Sequence, residues 1–247
     1  MKALKPVSFV FLLGLIPQAS YAFDWMSSNV QFLYGSDFEL GDPDRTTTTV
    51  EHAHGWNYGQ NFFFVDIINR SDIGTEVYAE AYSYFSFNKI TGANLSLGPI
   101  KDISLVAGLN ISNKPENDNF QAYLAGLSFD FANKYFDYLQ LDIAAYKSDD
   151  VSGKYGMQLT PVWSYPFQIG PAKFKFRGFT DIRIGNTNNS GTFNVLAQPQ
   201  VVIDIGDLAG IKTDVVYIGT EYHYWYNKFG IKGVEESVVQ AMVIGFF

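Results

Sequence analysis

The chain has 247 residues, 17 basic against 25 acidic side chains, and no cysteine. That acidic balance argues against nucleic acid as a partner, and the missing cysteines remove disulfides and thiol chemistry. Aromatic content is high, with 16 Tyr, 22 Phe and 4 Trp, yet beyond Ala22 no apolar run approaches the roughly 18 residues of a membrane helix.

Met1 to Ala22 reads as a secretory signal. Lys2 and Lys5 supply a basic start, and Val7 to Ile16 is an apolar run too short to span a bilayer as a helix. Ser20-Tyr21-Ala22 places small residues at the two positions a cleavage site needs. The expected mature chain is Phe23 to Phe247, a single domain.

From Ser27 onward the sequence breaks into runs of period-two alternation separated by Gly, Pro, Asn and Asp. Strands are predicted at 27–36, 46–54, 61–69, 75–87, 102–112, 119–131, 136–148, 154–165, 172–185, 192–205, 211–227 and 236–247. Turn chemistry is clear at 55–59, 113–118, 149–153 and 186–191, and the longest connection is Asn88 to Lys101. The last run carries Val239, Ala241, Val243, Gly245 and Phe247 on one face. Such a strand suits a buried core, and it also suits the end of an outer-membrane barrel. The export signal, the terminal Phe and the even series of twelve favour an antiparallel up-and-down transmembrane β-barrel, all-β, in the bacterial outer membrane. Pro161 and Pro199 fall inside predicted strands, where bulges or register breaks are expected.

In a barrel of this kind the usual alternation is inverted, apolar side chains facing lipid and polar ones facing water. Phe174, Phe176, Ile182 and Ile184 then point outward, and Lys173, Lys175, Arg177, Phe179, Asp181 and Arg183 line the lumen. Several aromatics fall on the same inner face: Phe62 and Phe64 with Asp66, Tyr78, Tyr82 and Tyr84 with Glu76 and Glu80, and Tyr138 with Tyr146. Flat rings offer stacking surfaces to a planar base, while carboxylates and Arg177 bond hydroxyls or ring edges. The expected pore-lining set is Phe62, Phe64, Asp66, Glu80, Tyr82, Arg177, Asp181 and Glu221. Filling of the lumen by these same rings is the plainer alternative.

His52 and His54 share one strand face and suggest a chelating pair, but no third ligand stands near them in sequence. Neither a Gly-x-Ser-x-Gly motif nor a convincing Ser–His–Asp set marks a lipase. No catalytic residue, metal or cofactor is assigned.

The stretch Ser86-Phe87-Asn88-Lys89-Ile90-Thr91-Gly92-Ala93-Asn94-Leu95-Ser96-Leu97-Gly98-Pro99-Ile100-Lys101-Asp102 resembles a conserved-looking segment of the Tsx-like nucleoside channels and the related OmpK outer-membrane proteins. Asn61-Phe62-Phe63-Phe64-Val65-Asp66 is similar to their aromatic strand ending in Asp, and Glu51 precedes a Trp-containing turn at Trp56 as theirs does. The resemblance implies a monomeric twelve-stranded barrel that passes nucleosides, often doubling as a phage or colicin receptor. The chain departs from that family in its short 70–74 connection and at Tyr84, where the family pattern has Arg. The functional expectation is passive, selective diffusion of nucleosides or similar small solutes; a structural barrel, a receptor or a membrane lipase are the alternatives.

Overall fold

A computed structural model of the chain describes residues 23–71, 74–115, 119–149, 155–185 and 193–247. The predicted signal Met1–Ala22 lies outside them, as do 72–73, 116–118, 150–154 and 186–192, which hold most of three predicted turns.

Alternating β-branched and aromatic residues between turn formers produce the strands β1 (Trp25–Gly35), β2 (Arg45–Trp56), β3 (Gly59–Arg70), β4 (Gly74–Ser86), β5 (Ile100–Asn113), β6 (Phe120–Phe131) and β7 (Tyr138–Ser148). They continue as β8 (Gly156–Ile169), β9 (Ala172–Gly185), β10 (Asn194–Ala197), β11 (Gln200–Asp204), β12 (Val216–Tyr226) and β13 (Glu236–Phe246). Each strand pairs antiparallel with its neighbour, and β13 returns to β1 in the register Asn29↔Phe246 to Tyr34↔Ala241. Both β10 and β11 lie between β9 and β12, so they are two halves of one stave. The result is a closed twelve-stave barrel with no free edge. Phe23 and Phe247 emerge at the same rim, called here the near rim.

The barrel is inside-out relative to a soluble sandwich. On the outer wall Leu105 is 50% exposed and Val239 64%, whereas the inward Asn110 is 0% exposed and Asp181 2%. Phe85, Leu105 and Leu127 pair across β4, β5 and β6 as one outward apolar row. Exposed aromatics ring both ends: Trp25, Tyr58 and Tyr135 at the near rim, Tyr34, Tyr123 and Tyr155 at the far one. Among the described residues no helix is long and apolar enough to cross a membrane.

The prolines correct one expectation. At Pro161 the β8–β9 ladder lapses between Leu159↔Ile182 and Val162↔Phe179, and at Pro199 the stave lapses between β10 and β11. In both places the register resumes unshifted. Each proline withholds one N–H, and at Pro199 the neighbours absorb the loss locally: the Gln198 amide donates to the Phe179 carbonyl at 3.0 Å and Tyr222 to that of Pro199 at 2.9 Å. Gly178 lies opposite Pro199 at φ 147°, and a β-carbon there would meet the Gln198 carbonyl oxygen at 2.4 Å. A register irregularity does occur, between Ile100 and Asp102, where none was expected.

Two other boundaries differ. Residues 211–215 are not strand; a short helix α1 (Phe87–Thr91) and a second, α2 (Ile205–Leu208), occupy near-rim connections. Helix α1 starts where the Ser86 hydroxyl accepts from the Lys89 amide and stops at Gly92, φ 70°. Its Lys89 donates to Asp24 at 2.7 Å and to the carbonyls of Trp56 and Gly59 at 2.8 and 3.1 Å. At the far rim the β1–β2 connection folds inward and buries Phe38 and Asp42. It is held by Lys228, which donates to the Glu39 carbonyl at 3.0 Å and pairs with the buried Glu236.

Candidate functional site

Two apolar clusters pack the interior wall and leave space between them. Leu33, Val202, Tyr217, Met242 and Ile244 fill one side, and Ala122, Leu124, Ala144 and Tyr146 pad another. Burial of such side chains stabilises by about 1.5–3 kcal/mol each for the larger ones. Between them lies a cavity of about 550 Å³.

All eight sequence-predicted residues line this cavity: Phe62, Phe64, Asp66, Glu80, Tyr82, Arg177, Asp181 and Glu221. Parity explains why. The register Glu51↔Phe64↔Glu80 and Ala53↔Phe62↔Tyr82 puts β2, β3 and β4 side chains of one face at one level. The rings of Phe62 and Phe64 lie 6.1 Å apart, tilted by 51°, and Tyr82 stacks beside Tyr84 at 6.4 Å.

The carboxylates are not equally available. Glu80 accepts from the Tyr78 hydroxyl, from Tyr82 at 2.9 Å and from Asn110 at 2.8 Å. Asp181 accepts from Gln158 at 3.0 Å, Thr160 at 2.7 Å and Arg183 at 3.3 Å. Glu221 is surrounded by amides, with Gln198, Gln200 and Gln240 donating at 3.0, 2.8 and 2.8 Å. Among the described residues Asp66 takes one bond, from Thr49 at 2.6 Å. The cavity wall carries eight carboxylates, Glu51, Asp66, Glu80, Asp130, Asp137, Asp142, Asp181 and Glu221, against Lys101 and Arg177. Such a surplus makes an electronegative interior.

Among the described residues four hydrogen-bonded contacts cross the interior rather than running between neighbouring staves, one of them from Gln200 on β11 to Gln31 on β1 at 3.3 Å. Tyr84 on β4 donates to Asp142 on β7 at 2.9 Å, Gln60 on β3 to Gln140 on β7 at 3.1 Å, and Arg177 on β9 to Glu51 on β2 at 2.8 and 3.0 Å. Sequence parity places Glu51, Gln60 and Asp142 on the inner face, but only closure of the barrel brings them to these partners. The histidine pair is elsewhere. His52 and His54 lie on the opposite face of β2 from Glu51, bonded to each other at 3.0 Å and to Ser28 and Asn61 at 2.7 and 2.9 Å. No group of three or more potential metal ligands occurs among the described residues.

A barrel built this way, polar within and apolar without, has the architecture of porins. The chain belongs to the family described as Domain of unknown function (DUF5020), whose model matches residues 27–242. The solved NanC porin is similar in fold, with 13% identity, a TM-score of 0.51, and coverage of 89% of this chain and 99% of that one. The KdgM porin in complex with disordered oligogalacturonate gives 9% identity and a TM-score of 0.49 over 89% and 99% of the two chains. No curated protein matches the sequence.

Proposed function

We propose that the protein is an outer-membrane channel for passive, selective diffusion of nucleosides or similar small solutes. On this reading Met1–Ala22 is removed on export and residues 23–247 insert as one monomeric barrel. The observation that carries it is the pairing of an apolar outer wall with an interior cavity of about 550 Å³ where aromatic faces stand beside carboxylates. That volume is within the roughly 300–1,000 Å³ of small-molecule sites. Phe62, Phe64 and Tyr82 supply stacking faces for a base. Asp66 keeps most of its acceptor capacity for solute hydroxyls, since Thr49 takes one position only. Weak binding of this kind lets a solute enter and leave. The similarity of residues 86–102 to the Tsx-like channels supports the nucleoside assignment.

The test is ion current through the purified protein in a planar bilayer. Uridine or adenosine reduces the current, and Phe62→Ala with Phe64→Ala weakens the effect, since base–aromatic stacking contributes about 1–3 kcal/mol per base. Equal current with and without nucleoside across a millimolar range rejects the selectivity and leaves the channel.

A second reading has its own support. The inward β1–β2 connection and the packed side at Leu33, Tyr217 and Ile244 narrow the interior, as suits a structural barrel or a phage or colicin receptor. Liposomes containing such a barrel do not swell in any small solute.

A further inference from the structure

The Glu51–Arg177 contact reaches further around the barrel than the other contacts that cross the interior, and it alone of them is an ion pair. Most interior hydrogen bonds join neighbouring staves, where they reinforce pairing already made by the backbone. This one joins β2 to β9, seven staves apart in one direction around the barrel and five in the other. It is therefore close to a diameter. It separates the side holding Phe62, Phe64, Tyr82 and Asp142 from the side filled by Val202, Met242 and Ile244.

Its chemistry suits making and breaking. One guanidinium nitrogen of Arg177, Nη2, donates to both oxygens of Glu51, at 2.8 and 3.0 Å, so the contact is not the parallel two-nitrogen fork that holds Arg–carboxylate pairs most firmly. The other Arg177 donors take no acceptor among the described residues, and the guanidinium lies 6.0 Å from the centre of the Phe246 ring. Glu51 is steadied on its own wall by the Asn29 amide at 2.7 Å. Both side chains are partly exposed to the cavity, 12% for Arg177 and 20% for Glu51. Neither end depends on the pair for its place: Glu51 sits in the continuous β1–β2–β3 ladder, and Arg177 in the β8–β9–β11 ladder.

We propose that the Glu51–Arg177 pair is a gate across the lumen that sets both its conductance and its charge preference. The inference rests on the channel reading and adds the element that regulates it. Closed, the pair spans the interior from β2 to β9 and cancels one charge of each sign. Open, it leaves a carboxylate on one wall and a guanidinium on the other, each able to act on a passing solute.

The experiment compares full-length wild type with Glu51→Gln, Arg177→Gln and the exchanged double variant Glu51→Arg with Arg177→Glu, all in planar bilayers under a KCl gradient. Heat-dependent mobility on gels reports folding of each. Glu51→Gln unpairs the arginine, so reversal potential moves toward anion preference. Arg177→Gln unpairs the carboxylate, so it moves toward cation preference. Both raise single-channel conductance by about two-fold or more, and the exchanged pair returns toward wild type. Opposite shifts follow from both charges facing the permeation path, and the rise in conductance from both single variants is what a merely structural contact does not produce. Conductance and reversal potential unchanged in folded variants overturn the gate while leaving the channel. Folded variants and wild type that all fail to conduct overturn the gate together with the channel reading. Should one single variant not fold, the conductance of the other still decides.

Discussion

The Tyr84 hydroxyl on β4 reaches across the barrel to the Asp142 carboxylate on β7, 2.9 Å away. Three staves separate these residues, so the bond measures how well the closed shape is kept. Asp142 also accepts from Gln140 at 2.8 Å. Tyr84→Phe therefore removes one donor from a buried carboxylate that keeps Gln140 and Ser128. The expected cost is about 1 kcal/mol, seen as a lower urea midpoint for loss of the heat-dependent gel shift. An unchanged midpoint means the bond is replaced by water.

Gly178→Ala is expected to be far more damaging than Gly245→Ala. A β-carbon at 178 meets the Gln198 carbonyl oxygen at 2.4 Å and the Pro199 α-carbon at 2.9 Å, on backbone at φ 147°. At 245 it meets nothing within 4 Å. The first change costs on the order of 1–3 kcal/mol, the second a few tenths or less. Parallel denaturant titrations of the two variants check the contrast.

Leu105→Arg tests what surrounds the outer wall. Ser104 and Val106 on either side of it are buried, and Leu105 faces out beside Phe85 and Leu127 near the middle of β5. In a bilayer the change costs about 2–4 kcal/mol. In a barrel bathed by water it stays within about 0.5 kcal/mol. Unfolding in liposomes separates the two.

Asp214 gives a pH dependence at the near rim. A bond from the Tyr217 hydroxyl, helped by Lys175 at 2.9 Å, outweighs partial desolvation and holds its carboxyl below the ordinary 3.8. Because the folded value is depressed, its stabilising contribution is complete above the ordinary value and disappears as pH falls through the lower one. Amide protection in the 205–215 connection should fall as pH drops below about 4. Asp214→Asn keeps a residue that tolerates the left-handed backbone there, φ 61°. In that variant protection is already low at neutral pH and no longer responds to acid through this group.

Strand existence and facing were legible because a period of two leaves few choices. The predicted run 172–185 matches β9 to the residue, and the eight residues of the expected pore-lining set border the cavity, whereas Lys173 and Lys175 of the same predicted face bond Asp207 and Asp214 at the near rim. Strand ends were less so. Strand β8 runs to Ile169 because Phe167 stacks on Phe174 across the ladder at 5.2 Å, a partner that its own sequence does not announce. Residues 211–215 alternate like a strand, yet the Asp204 carboxylate accepts from the Thr213 hydroxyl and the Asp214 amide and folds them into a connection. The pairs Glu51–Arg177 and Gln60–Gln140 were out of reach for another reason. Their meeting depends on barrel diameter and tilt, which no local pattern encodes.

The two prolines have a mechanical consequence. Pro161 and Pro199 stand on the staves to either side of β9, and both interrupt its ladders within the span from Gly178 to Asp181. Among the described residues no other unbroken strand has lapses in both of its ladders, and the seam is slackest there. Arg177 and Asp181 border that seam, so breathing of the barrel should concentrate at these two side chains, and deuterium uptake along β9 should be fastest between them.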